Sequence, residues 1–164
     1  MKLPLLLSAL LLGASVTAAY AGPDNIAWVA WDEGLQQAGE LKRPVLVDVY
    51  TQWCGWCKRM HRDVYSRADV RDYLSQKFVT VKLDAEAGDA ARYEGRSFTS
   101  RTLANAFRVS SYPTTLFLKA DGEHLVSVPG YIEPEKFLLL LRYIGDGHLE
   151  RGVTWDEFTA KRGK

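Results

Sequence analysis

Residues 45–58 read Val45-Leu46-Val47-Asp48-Val49-Tyr50-Thr51-Gln52-Trp53-Cys54-Gly55-Trp56-Cys57-Lys58. The first six follow Pro44 and form a short, β-branched apolar run, the pattern of a strand buried on both faces. Asp48 in its middle is the anomaly, because a carboxylate is rarely buried without a reason. Beyond Trp53 the period changes. Cys57, Met60, His61 and Val64 fall at i, i+3, i+4 and i+7 and form one inward helical stripe, while Lys58, Arg59, Arg62 and Asp63 take the other faces. A buried strand thus runs into a helix, with both cysteines at the junction.

The chain has only two cysteines. Closing so short a loop stabilises a fold by only about 2 kcal/mol in the chain-entropy model, so the pair is a poor staple and a better reagent. Cys54 falls at the helix N-terminus, where free N–H groups and the helix dipole favour a thiolate. Cys57 lies three residues on, over the same turn, as a resolving thiol. Haem attachment would need His at position 58, which is Lys58, and a structural zinc site would need a second ligand pair. Cys54, Cys57 and His61 still have C-x₂-C-x₃-H spacing, a set that suits Cu(I) or zinc. The plainer alternative is a His61 packed and hydrogen-bonded beneath the helix.

Outward from this core, residues 24–41 suggest one amphipathic helix, with Trp28 and Trp31 on its buried side. Ser66 and Asp69 suggest a capping box opening a further helix through Val70, Tyr73 and Leu74. Residues 78–84 alternate as a strand, 85–98 suit a loop, and 99–107 a helix. Residues 114–119 and 124–128 form a strand pair around the turn signal Asp121-Gly122. Pro134 opens a helix that stops at Gly145, and Thr154 with Glu157 caps a last short one. The order implies an α/β architecture, a mixed central sheet with helices on both faces.

Residues 1–21 suit a cleaved signal peptide: a positive start at Lys2, an apolar stretch, and Ala19-Tyr20-Ala21 as a small-x-small site. Residues 22–164 then form one domain. Lys2 is the only charge lost, and the remaining basic and acidic groups balance, which argues against nucleic-acid binding. In a Gram-negative cell such a protein is periplasmic.

The quoted stretch resembles the active-site strand and helix of the thioredoxin family. Tyr112-Pro113-Thr114 is similar to that family's cis-proline loop, and Gly130-Tyr131 falls where a substrate-groove glycine is expected. The match spans about residues 40–144. It implies a thioredoxin fold and a thiol–disulfide oxidoreductase using Cys54 and Cys57, with no flavin, nicotinamide or metal. By the same resemblance Asp48 matches the buried acid that relays a proton to or from the resolving cysteine. Burial would raise its pKa and suit it to act as general base. Lys82 matches a lysine beside that acid. Trp53, Gly55, Trp56, Tyr112, Pro113 and Gly130 would line the substrate groove, Trp53 covering the active-site turn.

The departures matter too. Gly55-Trp56 lacks the usual second-position proline, and Arg62 lies where thioredoxin kinks its helix with one. Residues 92–109, with Gly130-Tyr131, look closest to SoxW-like periplasmic thioredoxins, while residues 57–74 are similar to the C-terminal domain of the electron-relay protein DsbD. Both resemblances imply the reducing side of periplasmic thiol metabolism, on protein disulfide or dithiol substrates. Because an oxidising periplasm offers no free reductant, a membrane electron relay of the DsbD or CcdA type would recharge the pair. A monomer is the default expectation. The basic residues Lys58, Arg59, Arg62, Arg67 and Arg71 suit a solvated helix face. A disulfide-donating oxidase, a copper or zinc carrier, and a binding module without turnover are the rivals.

Overall fold

A computed structural model describes residues 20–21 and 26–160. The proposed leader lies almost wholly outside the described residues. Its last two, Tyr20–Ala21 (β1), pair antiparallel with Ala27–Val29 (β2). Next come Trp31–Leu41 (α1), Val45–Tyr50 (β3), Gly55–Met60 (α2), Ala68–Lys77 (α3) and Val79–Asp84 (β4). Ala90–Tyr93 (β5) and Arg96–Thr99 (β6) precede Ser100–Ala106 (α4), Thr114–Leu118 (β7), His124–Pro129 (β8), Pro134–Gly145 (α5) and Trp155–Ala160 (α6).

The main sheet has the order β1-β2-β4-β3-β7-β8. β3 is central, parallel to β4 and antiparallel to β7. Alternation along β3 divides the core. Val45, Val47 and Val49 face a cluster with Trp31, Ala38 and Leu103, from α1 and α4. Leu46 faces the opposite cluster, with Met60, Val64, Val70, Phe137 and Leu141 from the α2, α3 and α5 side. The expected mixed sheet with helices on both faces is present, and the fold is the thioredoxin fold.

Three local expectations are corrected. Residues 24–41 are not one helix: Trp28 pairs with Thr80 and Val29 with Val81, so the sheet captures β2 before α1 begins at Trp31. Trp28 and Trp31 are buried as expected. The loop of residues 85–98 contains the β5–β6 hairpin, turning at Glu94 and Gly95, both at positive φ (49° and 73°). It is tied to the start of α1, where Trp31 Nε1 donates to the Arg92 carbonyl (2.9 Å) and Asp32 Oδ1 accepts from the Arg92 amide (2.7 Å). The Ser66–Asp69 capping box is absent. α2 runs into a π-helical turn, His61–Tyr65, closed by the Ser66 amide on the His61 carbonyl. The Ser66 hydroxyl donates back to the Arg62 carbonyl instead.

That π turn adds a residue to the helical repeat and brings Tyr65 fully into the core beside Val64. The Tyr65 ring packs edge-on against Trp28 (5.1 Å between centroids) and Phe137 (5.5 Å). Each such aromatic pair contributes about 0.5–1.5 kcal/mol beyond its area. The helix that carries the cysteines is thereby anchored to β2 and α5.

Candidate active site

Cys54 and Cys57 are joined in a disulfide, S–S 2.08 Å, where the strand β3 hands over to α2. Cys54 is the N-cap of α2, and its Sγ accepts the Cys57 amide at 3.0 Å. One of the orphan donors of the helix start is therefore aimed at the sulfur that would carry negative charge on reduction. Both cysteines are buried, Cys54 at 4 % and Cys57 at 3 %. The disulfide is therefore almost closed off from solvent.

The residues beside Cys54 in sequence include two tryptophans. Trp53 (66 %) and Trp56 (55 %) are among the exposed large apolar side chains; Trp53 precedes Cys54, and Trp56 lies between the two cysteines in sequence. Trp53 meets the Tyr112 ring edge-on at 6.0 Å, leading to the Tyr112–Pro113 peptide, which is cis. Trp56 lies 5.6 Å from Tyr131, and the Arg59 guanidinium sits over both rings at 5.1 and 5.0 Å. Between them Gly130, at φ 86°, donates its N–H to the Pro113 carbonyl at 2.8 Å. Trp53, Tyr112, Pro113 and Gly130 belong to loops that converge beside Cys54. Gly55 follows it on α2.

Behind Cys57 the geometry is polar and buried. Asp48 is 1 % exposed, and His61 Nε2 lies 2.8 Å from its Oδ2. Taking a lone carboxylate out of water costs several kcal/mol, so a partner at this distance is what makes the position tenable. Lys82 is the register neighbour of Asp48 across β3–β4, but its ammonium sits over Tyr50 (4.8 Å) and Trp28 (5.4 Å). The acid is held by His61; the lysine is held by rings. Tyr50 stays neutral to higher pH than usual, chiefly because it is buried and secondarily because Asp84 and Asp48 are near. Cys57, His61, Lys82, Tyr50 and Thr51 share the wall of a cavity of about 560 Å³ with Lys58 and Arg62.

His61 thus turns to Asp48, and among the described residues no group of three or more His, Cys, Asp or Glu side chains is arranged to hold a metal. The basic helix face is largely self-paired: Arg59 and Arg62 with Asp63, Arg67 with Asp69 and Glu135. Sequence reasoning missed the roles of Arg59 and Tyr131 in supporting Trp56. The i+3 spacing of Trp56 and Arg59 was the available signal.

The sequence profile of the thioredoxin-like domain matches residues 31–145. The chain belongs to the thioredoxin-like family. It is 34 % identical over 112 residues to the thiol:disulfide interchange protein DsbD of Ralstonia nicotianae, a match covering 68 % of this chain and 17 % of that protein. The chain thus spans about a sixth of that relative. It is 23 % identical over 126 residues to the disulfide bond reductase DsbH of Chlamydia pneumoniae, covering 72 % of this chain and 75 % of DsbH. A thioredoxin-fold protein of Helicobacter pylori superposes with a TM-score of 0.66 at 18 % identity, over 87 % of this chain and 86 % of that one, which speaks for the fold alone. This chain's disulfide at C-x-x-C spacing lies within the matched thioredoxin-like domain. No helix of the described residues is long and apolar enough to cross a membrane.

Proposed function

We propose that this protein is a thiol–disulfide oxidoreductase, exported to the periplasm through residues 1–21 and working there as a monomer that reduces protein disulfides. The observation that carries the proposal is the Cys54–Cys57 disulfide at the start of α2, with the exposed Trp53 just before it meeting Tyr112 of the cis Tyr112–Pro113 peptide. The name of DsbH, a disulfide bond reductase, supports the reducing direction. So does the resemblance to SoxW-like thioredoxins and to DsbD.

In that direction the Cys54 thiolate attacks one sulfur of a client disulfide. A mixed disulfide forms and the first client thiolate leaves. Cys57 gives its proton to Asp48 and, as thiolate, attacks Cys54 Sγ; the second client thiolate leaves and the protein is oxidised. Two electrons have passed to the client. Trp53, Gly55, Trp56, Tyr112, Pro113 and Gly130 hold the client chain against Cys54. A membrane relay of the DsbD or CcdA type returns the two electrons, because an oxidising compartment offers no free reductant. Lys82 keeps positive charge near the Asp48 end of the cavity. The chemistry needs no cofactor beyond the cysteine pair.

The test is the reduction potential of the Cys54–Cys57 pair against glutathione in metal-free buffer. A value near that of thioredoxin, about −270 mV, supports the reductase; one near about −120 mV makes the protein a disulfide donor. Cys57→Ser should accumulate mixed disulfides with clients, and Cys54→Ser should trap none.

A further inference from the structure

Asp48 sits too deep to exchange protons with water directly, and the reaction requires that it do so at every turnover. At 1 % exposure it does not line the cavity behind the disulfide. His61 does, with 18 % of its side chain open, and its Nε2 is 2.8 Å from Asp48 Oδ2. Cys57, whose proton Asp48 takes, borders the same cavity. The geometry points to His61 as a relay residue for the resolving step: the proton that Asp48 receives from Cys57 leaves through the His61 imidazole into the solvent-filled cavity.

The inference deepens the proposed function and rests on Asp48 being the base for Cys57. Asp48 Oδ1 has no hydrogen-bond partner among the described residues, so one oxygen is left to receive the proton while the other faces the imidazole. The step balances. Cys57 loses a proton to Asp48 Oδ1, the carboxyl turns to present that proton to His61 Nε2 in the tautomer whose Nε2 is free, and the ring returns a proton to solvent from Nδ1. No net charge accumulates, and the electrons move only in the sulfur exchange. Imidazole suits this work because its ordinary titration lies near neutral pH.

The ring is boxed in by identifiable groups. Asp48 faces it from β3, Trp28 from β2 at 5.8 Å between centroids, and Tyr65 from its own helix at 4.9 Å. Lys82 from β4, Tyr50 from β3, and Lys58 and Arg62 from the helix supply the remaining charged or titratable groups of the cavity wall.

Mixing the reduced protein with an aromatic disulfide of the dithiobis-nitrobenzoate type separates the steps. The first coloured thiolate reports attack by Cys54, and the second reports resolution by Cys57. His61→Gln keeps an amide donor for Asp48 but cannot pass a proton on. It should slow the second phase by about tenfold or more, leave the first unchanged, and flatten the pH profile of the second. His61→Ala should be similarly slow and should regain rate with added imidazole. The relay is overturned if His61→Gln resolves at the wild-type rate while Asp48→Asn is slow, or if imidazole restores nothing to His61→Ala. A wild-type rate in Asp48→Asn overturns both the base and the relay. Circular dichroism and the thermal midpoint of each variant establish that it is folded before its phases are compared.

Discussion

The amide of Cys57 donates to the Sγ of Cys54 at 3.0 Å, so the two cysteines are unequal before any reductant arrives. On reduction, that N–H and the start of α2 favour negative charge on Cys54. Among the described residues no such donor is aimed at Cys57, which lies further into the helix. Limited alkylation of the reduced protein with iodoacetamide, followed by peptide mass analysis, should therefore place the first label on Cys54. Equal labelling of both, or Cys57 first, would reverse the assignment of nucleophile and resolving thiol.

Trp56, Arg59 and Tyr131 form a stack whose upper ring is more than half exposed. Exposed aromatics next to a nucleophile are the side chains on which binding energy concentrates, each contributing about 1–2 kcal/mol or more when covered by a partner. Trp56→Ala should lower kcat/KM toward an insulin-type protein disulfide by about tenfold. Turnover of a small aromatic disulfide should stay close to wild type, because that substrate has no polypeptide chain to lie along Trp56 and Tyr131. A parallel loss on both substrates would mean that Trp56 shapes the disulfide rather than the client.

What was legible in the sequence was local. β3 announced itself by composition, the β7–β8 hairpin by Asp121-Gly122, α5 by Pro134, and α6 by Thr154 and Glu157, whose amides and side chains do cap one another. What was not legible depended on pairing across the chain. Ala27–Val29 is three residues long, too short to show a period, and is a strand only because β4 accepts it. The β5–β6 hairpin is polar, so its hydrophobic pattern was silent; its turn pair Glu94-Gly95 was the overlooked signal. Asp48 stood out as a buried acid, yet its partner is 13 residues away. The neighbour in register, Lys82, was the natural guess, and the cation instead found the faces of Tyr50 and Trp28.

Gly34 tests how tightly α1 holds the sheet edge. In a free helix, Gly→Ala gains about 1 kcal/mol of propensity. Here a Cβ at position 34 would lie 2.1 Å from Val81 Cγ2 and 3.3 Å from Val29 Cγ2. Val81 is fully buried on β4, so it can yield only by moving its neighbours or the helix. Overpacking of this kind costs about 1–3 kcal/mol, and at so short a distance the upper part of that range applies. Gly34→Ala should therefore destabilise the protein by about 1–2 kcal/mol net in urea unfolding. A stabilised variant would show that α1 lifts from β4 at little cost.

Arg67 links the start of α3 to the start of α5, bonding Asp69 at 2.8 Å and Glu135 at 2.6 Å. The guanidinium holds the Asp69 carboxyl below the usual range, and Glu135 is also lowered, first by its own backbone N–H and then by Arg67. A depressed carboxylate contributes stability above its unfolded pKa and loses it as pH falls through the folded value. The contribution is thus complete at neutral pH and fades below about pH 4, the ordinary Asp and Glu range. All three side chains are open to solvent, so the effect is small and salt-sensitive. Arg67→Ala should lower the Tm modestly at pH 7, and the gap to wild type should close as the pH is taken below 4. A gap that persists unchanged into acid would assign the loss to packing of the arginine stem instead of its charge.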